Sequence, residues 1–383
     1  MARFLTVAAF GLLCSAQRPF STSELIRDPG VYGPPLELVH LYYDSFPTGI
    51  AVSASGRLFS NYPGALDKND TYAPGNGRYT IAELVSNTTE SPYPSAAINS
   101  PPGGAINYTT YPPSGAGYSN YFIGSQSIVI DALDRAWVLD TVSYYLVQRL
   151  PHFESLANPA TPLSKVAYPD SYLNDVRFDL RKNVTASGKG VAYITDSSVE
   201  GRNGIIIVDL GTGESWRHLD GHPSVRPEQQ YLSFQWGVPL YANNAGKPFG
   251  YNSFGADGIS LSADGESLFW KAVGSRYLFS IPTARLRDNS ATSEVMAQGA
   301  ITNHGQTGQS DGFEVIVQAN GTDQIYVRDP LINWVDTFST GTDGYLYFTV
   351  NQLDFGPGFY SNAGSVSPDM LMMGTIHETG PRH

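Results

Sequence analysis

The sequence predicts an all-β protein in which one β-hairpin unit repeats around a closed ring. The clearest copy spans residues 253–270, where a polar residue and glycines lead into two alternating strands joined by a tight turn at Asp264-Gly265. Apolar side chains such as Ile259 and Trp270 fall on one face of this hairpin. A single hairpin is only marginally stable in water, so the copies must pack against one another.

Five further stretches carry the same pattern of a polar residue, an alternating strand, a turn and a second strand. They begin at Thr48, Gln126, Asn174, Asp311 and Asp336. No amphipathic helix of three turns separates the copies. Six sheet-forming units without such helices predict a six-bladed β-propeller. The segment between Asp311 and Asp336 is too short for a full four-stranded blade, so the fifth blade is expected to be shortened.

The N-terminus predicts a secretory signal peptide over residues 1–16. It has one positive charge at Arg3, an apolar run over residues 4–13, and small residues before Gln17. Cys14, the chain's only cysteine, lies inside it, so the mature protein is expected to have no disulfide. No linker or charge block divides residues 17–383, which are predicted to form one propeller domain, secreted or in the lumen of the secretory pathway.

A long stretch over residues 66–121 is rich in Pro, Gly, Asn, Ser and Tyr and poor in charge. It is predicted to be an ordered insertion that covers one face of the propeller. Five Asn-x-Ser/Thr sequons are candidate glycosylation sites on loops. They are Asn69, Asn87, Asn107, Asn183 and Asn320.

The formal net charge of −12 disfavours nucleic acid and anionic membranes as partners, because neither offers cations to this surface. The sequence has no phosphate-binding loop, dinucleotide fingerprint or zinc-protease motif. The expected partners are therefore small apolar or aromatic molecules. The oligomeric state is not predicted.

Several strand motifs resemble those of the major royal jelly protein/yellow family. Residues 135–141 (RAWVLDT) are similar to the family's LWVLDTG strand, and residues 172–176 (YLNDV) with 192–197 (AYITDS) to its LND and YITDS element. Residues 205–217 (IIIVDLGTGESWR), 257–262 (DGISLS), 278–283 (LFSIPT) and 309–312 (QSDG) match further segments in order. The resemblance implies a six-bladed propeller, a skeleton shared more distantly with gluconolactonase-type propellers.

The resemblance implies several functions, because members of this superfamily differ in activity. Royal jelly proteins bind small molecules or serve as nutrients, yellow-type members are linked to pigment chemistry, and gluconolactonase-type members are metal-dependent hydrolases. The resemblance extends to secreted fungal propellers that act as hetero-Diels–Alderases, coupling a tropolone-derived quinone methide to a humulene-type terpene. Our leading hypothesis is such a cyclisation enzyme of secondary metabolism. The alternatives are a non-catalytic protein that binds pigment or terpenoid molecules and a metal-dependent lactonase-like hydrolase.

The candidate site is the mouth of the central channel, where the polar residue ahead of each inner strand is expected to point. The candidate catalytic residues are Asn174, Asp257, Asp311 and His304. The candidate substrate-binding residues are Gln126, Tyr144, Tyr145, Asp175, Trp236, Arg276 and Trp334. A cycloaddition needs two partners held in near-attack geometry and hydrogen-bond donors on an enone-like oxygen. Carboxylates take part only when protonated or as a base that forms the quinone methide.

Two other interpretations of these residues stay open. By likeness to lactonase propellers, Asn174, Asp257 and Asp311 would ligate Ca²⁺ through oxygen. Thr48 stands where such a site takes a carboxylate from its first blade, so we predict no cofactor. In the structural alternative, Asp257 and Asp311 cap the inner strands by accepting from backbone N–H groups.

Residues 308–312 match G-x-S-x-G, the pattern around the nucleophile of serine hydrolases. That nucleophile requires a helix after the serine, whereas residues 313–317 alternate as a strand. A serine hydrolase is therefore disfavoured. Trp137, Trp216 and Trp270 occupy strand positions and are assigned to the cores of the blades.

Overall fold

The computed structural model describes residues 30–43, 46–63, 79–100, 121–141, 145–149, 161–162, 166–235, 238–242, 250–313, 327–355 and 373–378. The strands among them form five four-stranded antiparallel sheets and one two-stranded sheet. Among these residues, none of the helices has the length and apolar character that crossing a membrane requires.

The sheets follow one another along the chain, apart from the first strand, β1 (Leu36–Tyr42), which pairs with the last. The first sheet contains β2 (Gly49–Val52), β3 (Leu58–Asn61), β4 (Ile81–Leu84) and β5 (Glu90–Pro92). The second contains β6 (Ser125–Ile130), β7 (Ala136–Asp140), β8 (Tyr145–Arg149) and β9 (Thr161–Pro162). The third contains β10 (Leu173–Asp179), β11 (Val191–Asp196), β12 (Gly204–Asp209) and β13 (Ser215–His218).

A two-stranded hairpin, β14 (Ser233–Gln235) and β15 (Val238–Leu240), precedes the fourth sheet. That sheet contains β16 (Ala256–Leu261), β17 (Ser267–Ala272), β18 (Tyr277–Pro282) and β19 (Thr302–Gln306), with short helices α1 (Thr283–Arg287) and α2 (Ser293–Gln298) between β18 and β19. The last sheet has the order β1, β22 (Met373–Glu378), β21 (Leu346–Val350) and β20 (Val335–Thr340). The first strand of the chain thus pairs with the last.

The sheets are arranged in a ring. Their inner strands contact one another in the order β20, β2, β6, β10 and β16. Residues 311–313 close the ring between β16 and β20. A Cβ on Gly258 would stand 2.4 Å from the carbonyl oxygen of Asp311, and a Cβ on Gly312 would stand only 1.4 Å from the carbonyl oxygen of Asp336. Only glycine allows the backbones to approach this closely. This arrangement confirms the predicted propeller.

Apolar side chains fill the wedges between neighbouring sheets. The largest cluster lies between the third and fourth sheets, where Trp270, Tyr193 and Ile259 are fully buried. Trp137 is buried between the second and third sheets and stacks on Phe178. Trp216 packs against the largest cluster. The three tryptophans therefore belong to the cores of the blades, as their strand positions predict.

Two predicted segments differ from the structure or lie partly outside it. The stretch over residues 66–121 is not wholly an insertion, because it supplies the two outer strands of the first sheet, β4 and β5. Residues 64–78 and 101–120 lie outside the described residues, as do the signal peptide and residues 314–326 of the fifth repeat.

The described sequons lie in turns. Asn87 is exposed in the β4–β5 turn, and Asn183 is exposed in the β10–β11 turn. Both turns lie at the end of the sheets opposite the segments that enter the inner strands. Asn69, Asn107 and Asn320 lie outside the described residues. Glycosylation of all five stays a prediction.

Candidate functional site

Backbone irregularities place the polar residues that open the inner strands. The antiparallel register shifts in β6 between Ser125 and Ser127, in β10 between Leu173 and Val176, and in β16 between Ala256 and Ile259. A fourth shift occurs at the start of β20. A bulge inserts a residue without a partner and redirects its side chain. The bulged residues are Gln126, Asn174, Asp175, Asp257 and Asp336.

These polar residues form a ring that we call the hub, made of Thr48, Gln126, Asn174, Asp175, Asp257, Asp311 and Asp336. The Thr48 hydroxyl donates to the carbonyl oxygen of Gln126 at 3.1 Å, and the Gln126 amide donates to Asn174 Oδ1 at 3.2 Å. The Asn174 amide in turn donates to the Asp257 carboxyl group. Hydrogen bonds from side chains thereby link the inner strands of successive sheets.

The hub continues through three carboxyl groups. Asp257 and Asp311 are hydrogen-bonded to each other. The indole N–H of Trp334 donates to Asp311 Oδ2 at 2.6 Å, and the Asn351 amide donates to Asp336 Oδ2 at 2.9 Å. The sequence therefore brings carboxyl groups from the fourth, fifth and sixth repeats together at one end of the channel.

Burial and mutual repulsion change the acidity of these groups. Burial raises the pKa of Asp257 well above its usual value, and the negative charges of Asp311, Asp175 and Asp336 raise it further. The same causes raise the pKa of Asp336. Burial of its carboxyl group also raises the pKa of Asp311, but donation by Trp334 opposes the rise and leaves it at about 6. Asp311 is therefore largely ionised above about pH 6, and Asp257 and Asp336 are weaker acids than ordinary aspartates.

Aromatic side chains border the hub. The Tyr172 hydroxyl donates to Gln126 Oε1 at 2.7 Å, and its ring lies 6.2 Å from that of Phe254. A Cβ on Gly258 would stand 3.1 Å from the Phe313 ring. The sequence analysis missed these three aromatic residues, although each stands two or three residues from a polar hub residue in the sequence.

Some predicted site residues lie away from the hub. His304 is exposed on β19, the outermost strand of the fourth sheet, where it bonds to Ser280 Oγ at 2.8 Å. This placement separates it from the channel, because an outermost strand lies at the periphery of a propeller. Arg276 lies in the β17–β18 turn, where its guanidinium pairs with Glu228 and covers the Tyr231 ring. Its charge is therefore already compensated.

Trp334 is the predicted aromatic residue that does reach the hub. Its backbone has a φ of 58°, a left-handed conformation that is costly for a bulky side chain. Tyr144 and Trp236 lie outside the described residues, and Tyr145 is placed only as the first residue of β8.

Two aspartates of the family-like motifs have structural roles. Asp140 ends β7 and accepts from the backbone N–H groups of Ile123 and Gly124. Asp196 ends β11, accepts from the N–H of Tyr172, and pairs with Arg217 at 2.9 Å. Both carboxylates hold the segment that leads into an inner strand, so they position the hub without belonging to it.

The G-x-S-x-G segment does not form a nucleophile elbow. Residues 307–313 are irregular, and no helix follows Ser310 within the described part of this segment. Below it lies the buried ammonium of Lys271, which donates to Thr307 Oγ1 and to the carbonyl oxygen of Gly308. Burial lowers the pKa of Lys271 to about 8. Its bonds secure this loop to the fourth sheet.

The polar side chains of the hub lack the arrangement of a metal site. Within the ranges that the structure describes, no group of three or more His, Cys, Asp or Glu side chains is arranged to hold a metal ion. The first repeat contributes Thr48 and Asn61 to the ring; the Asn61 amide donates to Thr48 Oγ1 at 2.7 Å. The residues present therefore lack the carboxylate that a lactonase-type Ca²⁺ site takes from its first blade.

Several solved structures are similar to this chain, at low identity. A luciferin-regenerating enzyme is 10% identical, with a TM-score of 0.48 over 91% of this chain and 96% of that one. The calcium-binding protein regucalcin from Agrobacterium tumefaciens is 11% identical, with a TM-score of 0.45 over 89% and 94%. A gluconolactonase from Xanthomonas campestris is 10% identical, with a TM-score of 0.41 over 92% and 98%.

None of the curated proteins matches the chain. The model of the major royal jelly protein family matches residues 159–327, which include the third and fourth sheets and the hub residues Asn174, Asp257 and Asp311. The match covers less than half of the chain and, together with the ring of sheets, supports a β-propeller that is similar to the major royal jelly protein/yellow-like family.

Proposed function

We propose that this protein is a secreted enzyme that binds a small carbonyl compound at the hub and catalyses its cyclisation with an apolar alkene. The reaction class is a hetero-Diels–Alder cycloaddition, in which a quinone methide or enone supplies the C=C–C=O unit. Two σ bonds form, no atom leaves and no oxidant is consumed. The resemblance to fungal hetero-Diels–Alderases suggests this class, and the acidity of the hub supports it.

The observation that carries the proposal is the pair Asp257 and Asp311. The two carboxyl groups are hydrogen-bonded, and their surroundings differ. Burial and the charge of Asp311 raise the pKa of Asp257 well above its usual value, whereas donation by Trp334 limits the pKa of Asp311 to about 6. Such a difference in surroundings assigns an acid and a base in many active sites. Asp257 is the hydrogen-bond donor, and Asp311 is the acceptor.

A protonated Asp257 suits the cycloaddition. Negative charge develops on the carbonyl oxygen of the enone as the new bonds form, and a neutral carboxylic acid in a buried site stabilises that charge by hydrogen bonding. Asn174 donates to one Asp257 oxygen, so the proton resides on the other. The amide of Gln126 and the hydroxyl of Tyr172 lie next along the ring and orient the substrate.

Asp311 suits the preceding step, in which the reactive quinone methide forms from a hydroxymethyl phenol or tropolone. The ionised carboxylate takes the ring hydroxyl proton while Asp257 gives its proton to the departing hydroxyl group, and water leaves. Asp311 then passes its new proton to Asp257 across their hydrogen bond, so Asp257 is protonated again for the cycloaddition. Trp334 holds Asp311 in its ionised form by donating to it at 2.6 Å.

The test is an assay of product stereochemistry with a hydroxymethyl tropolone precursor and humulene. We expect the protein to accelerate the reaction and give one stereoisomer. Asp257→Asn and Asp311→Asn should each lower the rate by about 100-fold or more, the usual contribution of a positioned acid or base. Asp264→Asn is the matched control, because Asp264 lies in an exposed turn at the opposite end of the fourth sheet.

Other outcomes would contradict the proposal. Binding of the precursor without any change in product ratios would indicate a non-catalytic carrier. A lactonase-like hydrolase would instead cleave lactones, lose that activity with a chelator and regain it with Ca²⁺. Full stereoselective turnover by both Asn variants would remove Asp257 and Asp311 from the mechanism.

A further inference from the structure

Three of the sheets place one residue of their second strand opposite the bulge of their inner strand. The registers put Thr195 of β11, Lys271 of β17 and Thr349 of β21 at this position in the third, the fourth and the last sheet. Because the three positions are equivalent, differences between their side chains indicate what each sheet requires there.

The two threonines act in the same way. The Thr195 hydroxyl donates to the carbonyl oxygen of Asp257 at 2.7 Å, and the Thr349 hydroxyl donates to the carbonyl oxygen of Thr48 at 3.4 Å. Each also accepts from a backbone N–H of its own bulge. Since Asp257 and Thr48 are hub residues of the neighbouring sheets, each threonine fixes a hub residue of the next sheet in the ring.

Lys271 reaches further than the threonines. Its ammonium donates to the carbonyl oxygen of Gly308 at 2.5 Å and to Thr307 Oγ1 at 3.2 Å. These two residues precede Asp311, the hub residue of the next repeat, by three and four positions. Lys271 therefore holds the loop that leads to the hub residue, whereas the threonines hold the hub residue itself.

A lysine is a costly choice at this position. Lys271 is only 4% exposed, and burial lowers its pKa to about 8. Among the residues that the structure describes, no carboxylate forms an ion pair with it. A buried charge without an opposite charge is unfavourable, and a threonine fits the same position in two other sheets. The charge does, however, make its hydrogen bonds to the loop stronger than those of a hydroxyl group.

The other bonds of this loop lead away from the inner strands. The Thr307 N–H donates to the carbonyl oxygen of Arg276 in the β17–β18 turn. Gln309 Oε1 accepts from the Tyr231 hydroxyl at 3.0 Å, in the segment before the β14–β15 hairpin. Lys271 instead lies on β17, the strand that pairs with β16. Its bonds therefore set the loop relative to the strand that carries the hub residue of the fourth sheet.

Asp311 requires such a setting because it meets two partners at once. It is hydrogen-bonded to Asp257, and it accepts from the Trp334 indole at 2.6 Å. Residues 307–311 form neither strand nor helix, so the ladder of a sheet does not fix this carboxyl group. A small displacement of the loop would lengthen one bond or both.

We propose that Lys271 is a positioning residue for Asp311: its ammonium holds residues 307–310 so that the Asp311 carboxyl group meets both Asp257 and the Trp334 indole. The consequence for catalysis rests on the proposed function, in which Asp311 is the base. The positioning itself does not depend on that reaction.

The test measures the pKa of Asp311 by NMR of labelled aspartate in the full chain without substrate. Lys271→Met keeps the length of the side chain and removes its donors, so the bond from Trp334 should weaken. The pKa of Asp311 should rise by about one pH unit, the effect of losing much of one hydrogen bond to a charged group. Hydrogen exchange of the Trp334 indole N–H should become about tenfold faster.

Three variants accompany Lys271→Met. Lys271→Arg keeps a cation and N–H donors and should restore both values. Lys182→Met removes an exposed lysine from the β10–β11 turn and should change neither. Lys271→Thr installs the residue of the third and last sheets and serves if Lys271→Met does not fold. Its short side chain does not reach Gly308, so the pKa of Asp311 should rise as it does in Lys271→Met.

The catalytic consequence is measured separately, in the cycloaddition assay. Lys271→Met should lower kcat about tenfold and change the KM for the precursor by less than about twofold, because a displaced base affects the reaction more than binding. If the wild type does not catalyse the reaction but the pKa and exchange changes appear, the proposed function fails and the positioning stands.

Two results would overturn the inference. A lower free energy of unfolding in Lys271→Met with an unchanged pKa of Asp311 would show that the lysine only supports the fold. A raised pKa with unchanged exchange of the Trp334 indole would show that the lysine acts by its charge and not by placing the carboxyl group.

Discussion

The wedge between the third and fourth sheets and the hub are built from the same strands, yet they have opposite chemistry. Ile259 of β16 is fully buried in the apolar wedge, and Asp257, two residues earlier on the same strand, lies in the hub. In the wedge, burial stabilises the fold because the buried groups are apolar. In the hub, burial is unfavourable for ionised carboxylates, and yet the protein keeps several carboxyl groups buried there. The wedge therefore stabilises the fold, whereas the unfavourable burial of carboxyl groups in the hub is what we expect of the site that we propose.

The largest expected effect tests the wedge. Trp270→Ala should lower the free energy of unfolding by about 4 kcal/mol, because it removes a fully buried indole and leaves a cavity. It also removes the indole donor to the carbonyl oxygen of Ser224 at 2.9 Å. Urea unfolding measures the change, with Trp270→Phe as a milder control. A loss below about 1 kcal/mol would contradict the assignment of this wedge as the main core.

The next effect tests the hub through pH. The pKa of Asp311 is raised to about 6, so the folded state binds its proton more tightly than the unfolded state does. The stability linked to this group is present below its unfolded pKa and is lost as pH rises through about 6. A shift of roughly two pKa units corresponds to about 3 kcal/mol. Asp257 and Asp336 extend the loss to higher pH.

Other carboxylates have lowered pKa values, among them Glu228, which pairs with Arg276. Their contribution to the free energy of unfolding is lost as pH falls, which is opposite to the contribution of Asp311. The measurement is therefore the difference between Asp311→Asn and the wild type, since asparagine does not ionise. From about pH 4 to about pH 7, the variant should gain about 3 kcal/mol of unfolding free energy relative to the wild type. A difference that is independent of pH would show that Asp311 has an ordinary pKa.

The smallest effect sharpens the role of Trp334. Trp334→Phe keeps an aromatic ring and removes the N–H that donates to Asp311 at 2.6 Å. Near neutral pH, where Asp311 is ionised, the variant should lose about 2 kcal/mol, the usual contribution of a hydrogen bond to a charged group. The pKa of Asp311 should rise, as measured by NMR of labelled aspartate. An unchanged pKa would mean that Trp334 only packs there.

The sequence determined the propeller and most of its polar ring. The repeats at Gln126, Asn174 and Asp257 identified inner strands, because alternation and turns are local properties of the chain. Once the strands form a ring, the polar residue ahead of each inner strand points toward the mouth of the central channel. The sequence analysis places His304 at the mouth of the channel, but it lies on the outermost strand of its sheet, because local pattern does not distinguish an outer strand from an inner one.

Only the tertiary structure decided the acidity of the hub and the partners of its members. The hydrogen bond between Asp257 and Asp311 joins residues from different repeats, and the charge that raises the pKa of Asp257 comes from Asp175 and Asp336 as well. Tyr172 likewise borders the hub through its bond to Gln126, a residue distant in sequence. Electrostatic repulsion and desolvation depend on distances through space, which the order of residues along one chain does not contain.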